Sequence, residues 1–241
     1  MPGRHEYILP YGDSEESKAT MSRILCRFGV PIVFVVVLAL PVRAVPAQAL
    51  WAPLPLGGFD ELPWGGGLQW PGKFNGSKDI IPDLTVAHMR IVLEQTSFQS
   101  VQKHFGGVPG GQGDAGTSHG WLCLYQLKAS KPWVIWLESD ELDGGKVSGF
   151  QWRAVPLSSI FDNRCHSLPK GSTVDLPAPI RLGQSQVQIV ATLGAPSAER
   201  PDVLFYEHKR SGHPGSTIND VAVQLSQKIV EAISVWRASS L

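Results

Sequence analysis

Apolar and polar positions follow a repeated order along the chain. In the first stretch Leu93 is followed by Thr96 and Gln99, three residues apart, with Phe98, Val101 and Phe105 at helical spacing and Gly106 behind them. In the second, Leu182 precedes Ser185 and Gln188, with Val187, Val190 and Leu193 spaced in the same way and Gly194 at the end. A Thr or Ser that can cap the first turn, answered by Gln three positions on, predicts a helix start, and Gly after the last apolar residue predicts its end. Each helix leads to a strand that carries a Tyr: Trp121 to Leu127 with Tyr125, then Leu204 with Tyr206. Hairpins follow, Trp133 to Glu138 with Lys146 to Arg153 around Leu142-Asp143-Gly144-Gly145, and Asp220 to Ser226 with Ile229 to Arg237 around Gln227-Lys228. Val221, Val223 and Leu225 alternate with Ala222 and Gln224, the period of a strand with one buried face. Helix, loop, strand and hairpin thus occur twice in order. That predicts an α+β fold of two tandem repeats, each a short helical segment packed on an antiparallel sheet with a C-terminal β-hairpin. Repeat 1 covers 83–165, a connector 166–181 and repeat 2 182–241.

The region before the repeats lacks such a period. Residues 50–82 are rich in Pro, Gly and Trp, including Trp51, Trp64 and Trp70, and read as an arm or linker. Residues 1–49 read as a signal peptide: Arg23 and Arg27 precede the apolar run Val30 to Leu40, and Ala47-x-Ala49 supplies a small-residue cleavage site before Leu50, favoured over the earlier Val42-Arg43-Ala44, which would leave Pro46 second in the mature chain. The run is shorter than the ~20 apolar residues of a spanning helix. Met21, behind a polar leader, has the position of the true start. No lipobox cysteine follows the run, so the expectation is a periplasmic or secreted protein that meets the membrane only during export.

Charge narrows the classes of partner. Lys and Arg together equal Asp and Glu at 21 each, so there is no basic footprint for nucleic acid, and 43% apolar residues is too many for a disordered chain. Cleavage before Leu50 leaves Cys123 and Cys165. Export to an oxidising compartment predicts that they pair, two buried free thiols being the alternative.

The pattern Leu-x-x-Ser/Thr-x-x-x-Val-x-x-Leu/Phe-Gly-x-Pro, then a Tyr strand and a hairpin, resembles the tandem repeat of β-lactamase inhibitory protein and the single unit of the BamE (SmpA/OmlA) lipoproteins, over roughly Leu93 to Trp236. The resemblance implies helices on one face of an antiparallel sheet, in an exported, non-enzymatic protein that works through contacts with other proteins. The chain departs from the pattern in its expanded loop, Gly106 to Gly120, and in lacking the lipid-bearing cysteine.

Few residues carry the signature of chemistry. The Gly-rich loop has no Lys and leads into a strand rather than a helix, so it is not a phosphate-binding loop and reads as a surface loop. Glu138, Asp140, Glu141 and Asp143 lack EF-hand spacing and read as a solvated hairpin tip. No histidines stand at a zinc-ligand spacing, and Cys165-His166 reads as a disulfide cysteine beside an ordinary histidine. No cofactor or metal is expected. The aromatic surplus suggests a different role: Trp121, Trp136 and Trp152, on strands with one face to spare, are candidate partner-binding residues. The sequence therefore points to a non-enzymatic envelope protein that binds another exported protein. The alternative is a secreted hydrolase assembled from distant residues, with Glu138, Asp140, His119 and His166 as its only donors, which requires two of them within hydrogen-bonding reach.

Overall fold

The computed structural model describes Leu50 and residues 80–112, 119–140, 144–212 and 215–240, all within the unit Val45–Leu241. Its elements in chain order are β1 Asp83–Val86, β2 Met89–Val92, α1 Phe98–Phe105, β3 Gly110–Gln112, β4 His119–Gln126, β5 Trp133–Asp140, β6 Gly149–Ala154, β7 His166–Ser167, β8 Val174–Asp175, α2 Gln186–Leu193, β9 Ala198–Arg200, β10 Val203–Gly212, β11 Gly215–Ser226 and β12 Ile229–Ser240.

Helix α2 forms where its caps direct. Ser185 and Gln188 close a reciprocal capping box on α2, and Gly194 ends it at φ 85°. In α1 the cap falls one residue later than the spacing predicts. Thr96 Oγ1 accepts from Val92 N at 2.9 Å, so Ser97 takes the cap and accepts from Ser100 N at 3.1 Å. Val101 and Phe105, four apart, are the buried stripe of α1, while Ile189 is the buried residue of α2.

The α+β expectation is corrected at the level of the whole fold. Both stretches feed one nine-stranded sheet, ordered β3-β4-β5-β6-β12-β11-β10-β9 with β7 parallel to β4, and the two helices are only eight residues each. Among the described residues the structure is mainly antiparallel β. The halves meet where β6 pairs with β12, Phe150 opposite Val235 and Trp152 opposite Ile233. Strand alternation gives both inner faces the same apolar character, and joining them covers what would otherwise be two hydrophobic edges. What packs on the inner face is not helix alone: a three-stranded sheet, β2-β1-β8, lies with α1 and α2 over Leu124, Ile135, Phe150, Trp152, Ile233 and Val223 in one continuous core. Two Gly positions answer to aromatic rings. A Cβ on Gly110 would stand 2.3 Å from the Trp121 indole, and one on Gly149 would stand 2.7 Å from the Val235 carbonyl and 2.6 Å from Trp236.

Buried polar groups tie the layers together. Asn219, fully buried on β11, accepts from Ile80 N at 2.8 Å and Ile81 N at 3.0 Å and donates to Trp236 O at 3.1 Å. Arg237 pairs with Glu94 at 3.3 Å, and Ser239 donates to the same carboxylate at 2.7 Å. Among the described residues no helix is long and apolar enough to cross a membrane.

Candidate functional site

The outer face of β4 and β5 carries a buried cluster separate from the main core. His119, Trp121, Cys123 and Tyr125 project there from β4, opposite Trp136 and Val134 of β5. The β6–β7 loop, residues 155–165, crosses this face. Cys123 and Cys165 form a disulfide across it, with Cα atoms 4.6 Å apart. The Tyr125 and Phe161 rings stack at 4.1 Å, and Val155 N donates to Pro132 O at 3.0 Å. Asp162 closes a turn by accepting from Arg164 N at 2.9 Å and from its guanidinium, which holds the carboxyl below its ordinary pKa. Leu50 completes the set, pairing with Phe161 in a parallel bridge.

This fixed loop turns apolar side chains outward. Leu157 is 73% exposed and Ile160 55% exposed. Val108, 51% exposed, is held against the loop by its N–H on Arg164 O at 3.2 Å. Three of the five large exposed apolar side chains among the described residues therefore belong to one cross-linked loop or touch it; the other two, Val187 and Ile229, lie elsewhere. A large apolar side chain held in water by a rigid backbone is a preorganised contact, because binding there needs little further ordering.

The second feature is acidic. Glu138 shares a row across the outer face with Trp121, Gly149, Trp236, Asp220 and Glu207. The reading of Glu138 as a solvated tip is corrected, since it is 7% exposed. Its register opposite Trp121 places it inside the sheet rather than at the turn, while Glu141 and Asp143 lie outside the described residues. Burial pushes Glu138 up to about 8, so at neutral pH its carboxyl is largely protonated. Its 3.4 Å contact with His119 Nε2 is then made by an uncharged acid. Burial, aided by the Glu207 charge on the neighbouring strand, pushes Asp220 up to about 7. Burial likewise raises Glu207, against the opposing pull of Lys209.

Of the four donors that a hydrolase would use, the fold brings His119 and Glu138 together. Asp140 stands opposite His119 in register, and His166 lies on β7 opposite Leu124. Trp121, Trp136 and Trp152 are buried, the first two under the β6–β7 loop and the third in the inner core. They form no patch on the surface of this structure. The Gly-rich stretch is not loop throughout, because Gly110–Gln112 pairs with β4 as an edge strand. Leu157 and Ile160 carried no sequence signal of their own: in Val155-Pro156-Leu157-Ser158-Ser159-Ile160 neither a helical nor an alternating period marks them. The only available pointer was their place just before a cysteine expected to pair.

No family model matches the chain, and no match was found among the curated proteins or the solved structures.

Proposed function

We propose that this chain is an exported, non-enzymatic protein whose work is to bind another envelope or secreted protein, and that its contact surface is the β6–β7 loop with Leu157 and Ile160 at its centre. The observation that carries the reading is the pairing of fixed backbone with exposed apolar side chains, Leu157 at 73% on a loop held by a disulfide and a stacked ring pair. Apolar anchors fixed before binding are the feature that concentrates affinity in small interfaces. The disulfide fits an oxidising compartment, which supports export to the periplasm or the medium. The test is capture from envelope extract by the wild-type chain and by Leu157→Asp/Ile160→Asp. A partner retained by the wild type is expected to drop at least about tenfold with the double variant while the variant's melting curve is unchanged. Equal retention by both overturns this surface.

A second reading, a secreted hydrolase, is favoured by one observation: His119 Nε2 and Glu138 Oε2 stand 3.4 Å apart, with the carboxyl held largely protonated and so able to donate a proton at neutral pH. On that reading Glu138→Gln lowers turnover of an ester, glycoside or peptide substrate by about a hundredfold or more. On the binding reading a substrate panel shows no turnover for the substitution to remove.

A further inference from the structure

Leu50 stands where two independent lines meet. The sequence places a small-residue cleavage site, Ala47-x-Ala49, immediately before it. In the structure the same residue is docked: its N–H donates to Ile160 O at 2.8 Å, and its carbonyl accepts from Asp162 N at 3.1 Å. Its side chain packs with Phe161 and Tyr125 against the outer cluster of Trp121, Cys123, Trp136 and Cys165. The residue that a signal peptidase would leave first is thus one whose two backbone groups are both used by the β6–β7 loop.

We propose that Leu50 is the first residue of the processed chain and that the amino group freed at the Ala49–Leu50 bond docks on the Ile160 carbonyl, clasping the β6–β7 loop. The inference rests on the exported reading above. The covalent step is hydrolysis by a peptidase that accepts small side chains at the first and third positions before the cut. Water adds across the amide, Ala49 departs as a carboxylate, and the Leu50 nitrogen becomes an ammonium. An ammonium keeps the donor that Leu50 already offers to Ile160 and adds a charge, and hydrogen bonds from charged donors are shorter and stronger than neutral ones. Processing therefore strengthens the bond that holds the backbone of Ile160, one of the two residues at the centre of the contact surface. Both backbone bonds of Leu50 are already made in the uncut chain, and cleavage adds a charge to one of them.

The test uses the full chain expressed with its own leader in a bacterium. The periplasmic form is recovered, its N-terminus sequenced, and its α-amine trace-labelled with acetic anhydride near neutral pH, both natively and after reduction in urea. The expected results are an N-terminus of Leu-Trp-Ala-Pro and native labelling slower by about tenfold or more, the scale set by a hydrogen bond to a charged group. A Leu50 start with equal labelling in both states overturns the docking. Export with a different first residue overturns the clasp and leaves the exported reading standing. A chain that keeps Val30 to Leu40 in the membrane fraction overturns both. The outcome of the Leu157→Asp/Ile160→Asp capture does not bear on any of these results, so the clasp and the contact surface fail separately.

Discussion

Asn219 and Glu138 are both buried polar side chains, and burial acts on them in opposite ways. Asn219 has its carbonyl oxygen on two backbone N–H groups and its amide on the Trp236 carbonyl, so it loses little by leaving water. Replacing it with Ala strands the Ile80 and Ile81 donors, and Asn219→Ala is expected to cost roughly 2–4 kcal/mol in denaturant unfolding at neutral pH. Glu138 gains no such set, and desolvation moves its pKa from an ordinary 4.5 to about 8. Between those values the folded chain holds a proton that the unfolded chain has lost. The contribution of Glu138 to stability is therefore fully present below pH 4.5 and lost as pH rises toward 8, and Asp220, raised from 3.8 to about 7, adds a loss of the same sign that begins lower. Glu138→Gln removes this penalty. It is expected to raise stability on the order of a few kcal/mol at pH 9 and to change it little at pH 4, measured by unfolding at both. An equal change at both pH values would contradict the assignment. Neither role was legible in the sequence, where Glu138 stands in an acidic cluster and Asn219 in a polar stretch; only cross-strand register shows what each side chain meets.

Legibility at the level of elements depended on local chemistry. Helix α2 was visible because Ser185, Gln188 and Gly194 stand at its cap positions, α1 from its apolar spacing and Gly106 although its cap is Ser97 and not Thr96, and the β11–β12 hairpin because its strands alternate. The β1–β2 hairpin gave no such signal. Its turn is Ala87-His88, both at positive φ, where Asn or Gly would have announced it. Gln227-Lys228 is the same kind of turn, at φ 50° and 64°. Gln227→Asn/Lys228→Gly supplies residues suited to that backbone and is expected to stabilise the protein by about 1 kcal/mol, read as a higher denaturant midpoint at unchanged slope. Gly149→Ala should act in the opposite direction. The added methyl meets the Val235 carbonyl at the seam of the two halves, and a backbone atom in the middle of a sheet cannot step aside. The expected loss is about 1–3 kcal/mol in the same measurement.

For the whole molecule, periodicity identified pieces and misassigned their sum. The alternation in β6 and β12 predicts strands, but nothing in either strand says that they pair with each other, and that one pairing turns two expected α+β units into a single sheet. The Cys123–Cys165 bond was within reach of sequence reasoning because only two cysteines follow the apolar run Val30 to Leu40. It closes a separation of 42 residues, so Cys123→Ala/Cys165→Ala is expected to lose about 3–4 kcal/mol in equilibrium unfolding. The same variant should weaken partner capture, because the loop that holds Leu157 and Ile160 in water is then less fixed. What the sequence could not show is that the cross-linked loop turns apolar side chains outward, since exposure is a property of the finished surface. The central claim, that this loop is where a partner sits, is tested most directly by placing a photo-crosslinking amino acid at position 157 in the chain produced in living cells, with position 170, also exposed but beyond the loop, as the comparison. A discrete adduct is expected from position 157 and none from position 170. No adduct at 157, or the same adducts from both positions, would contradict it.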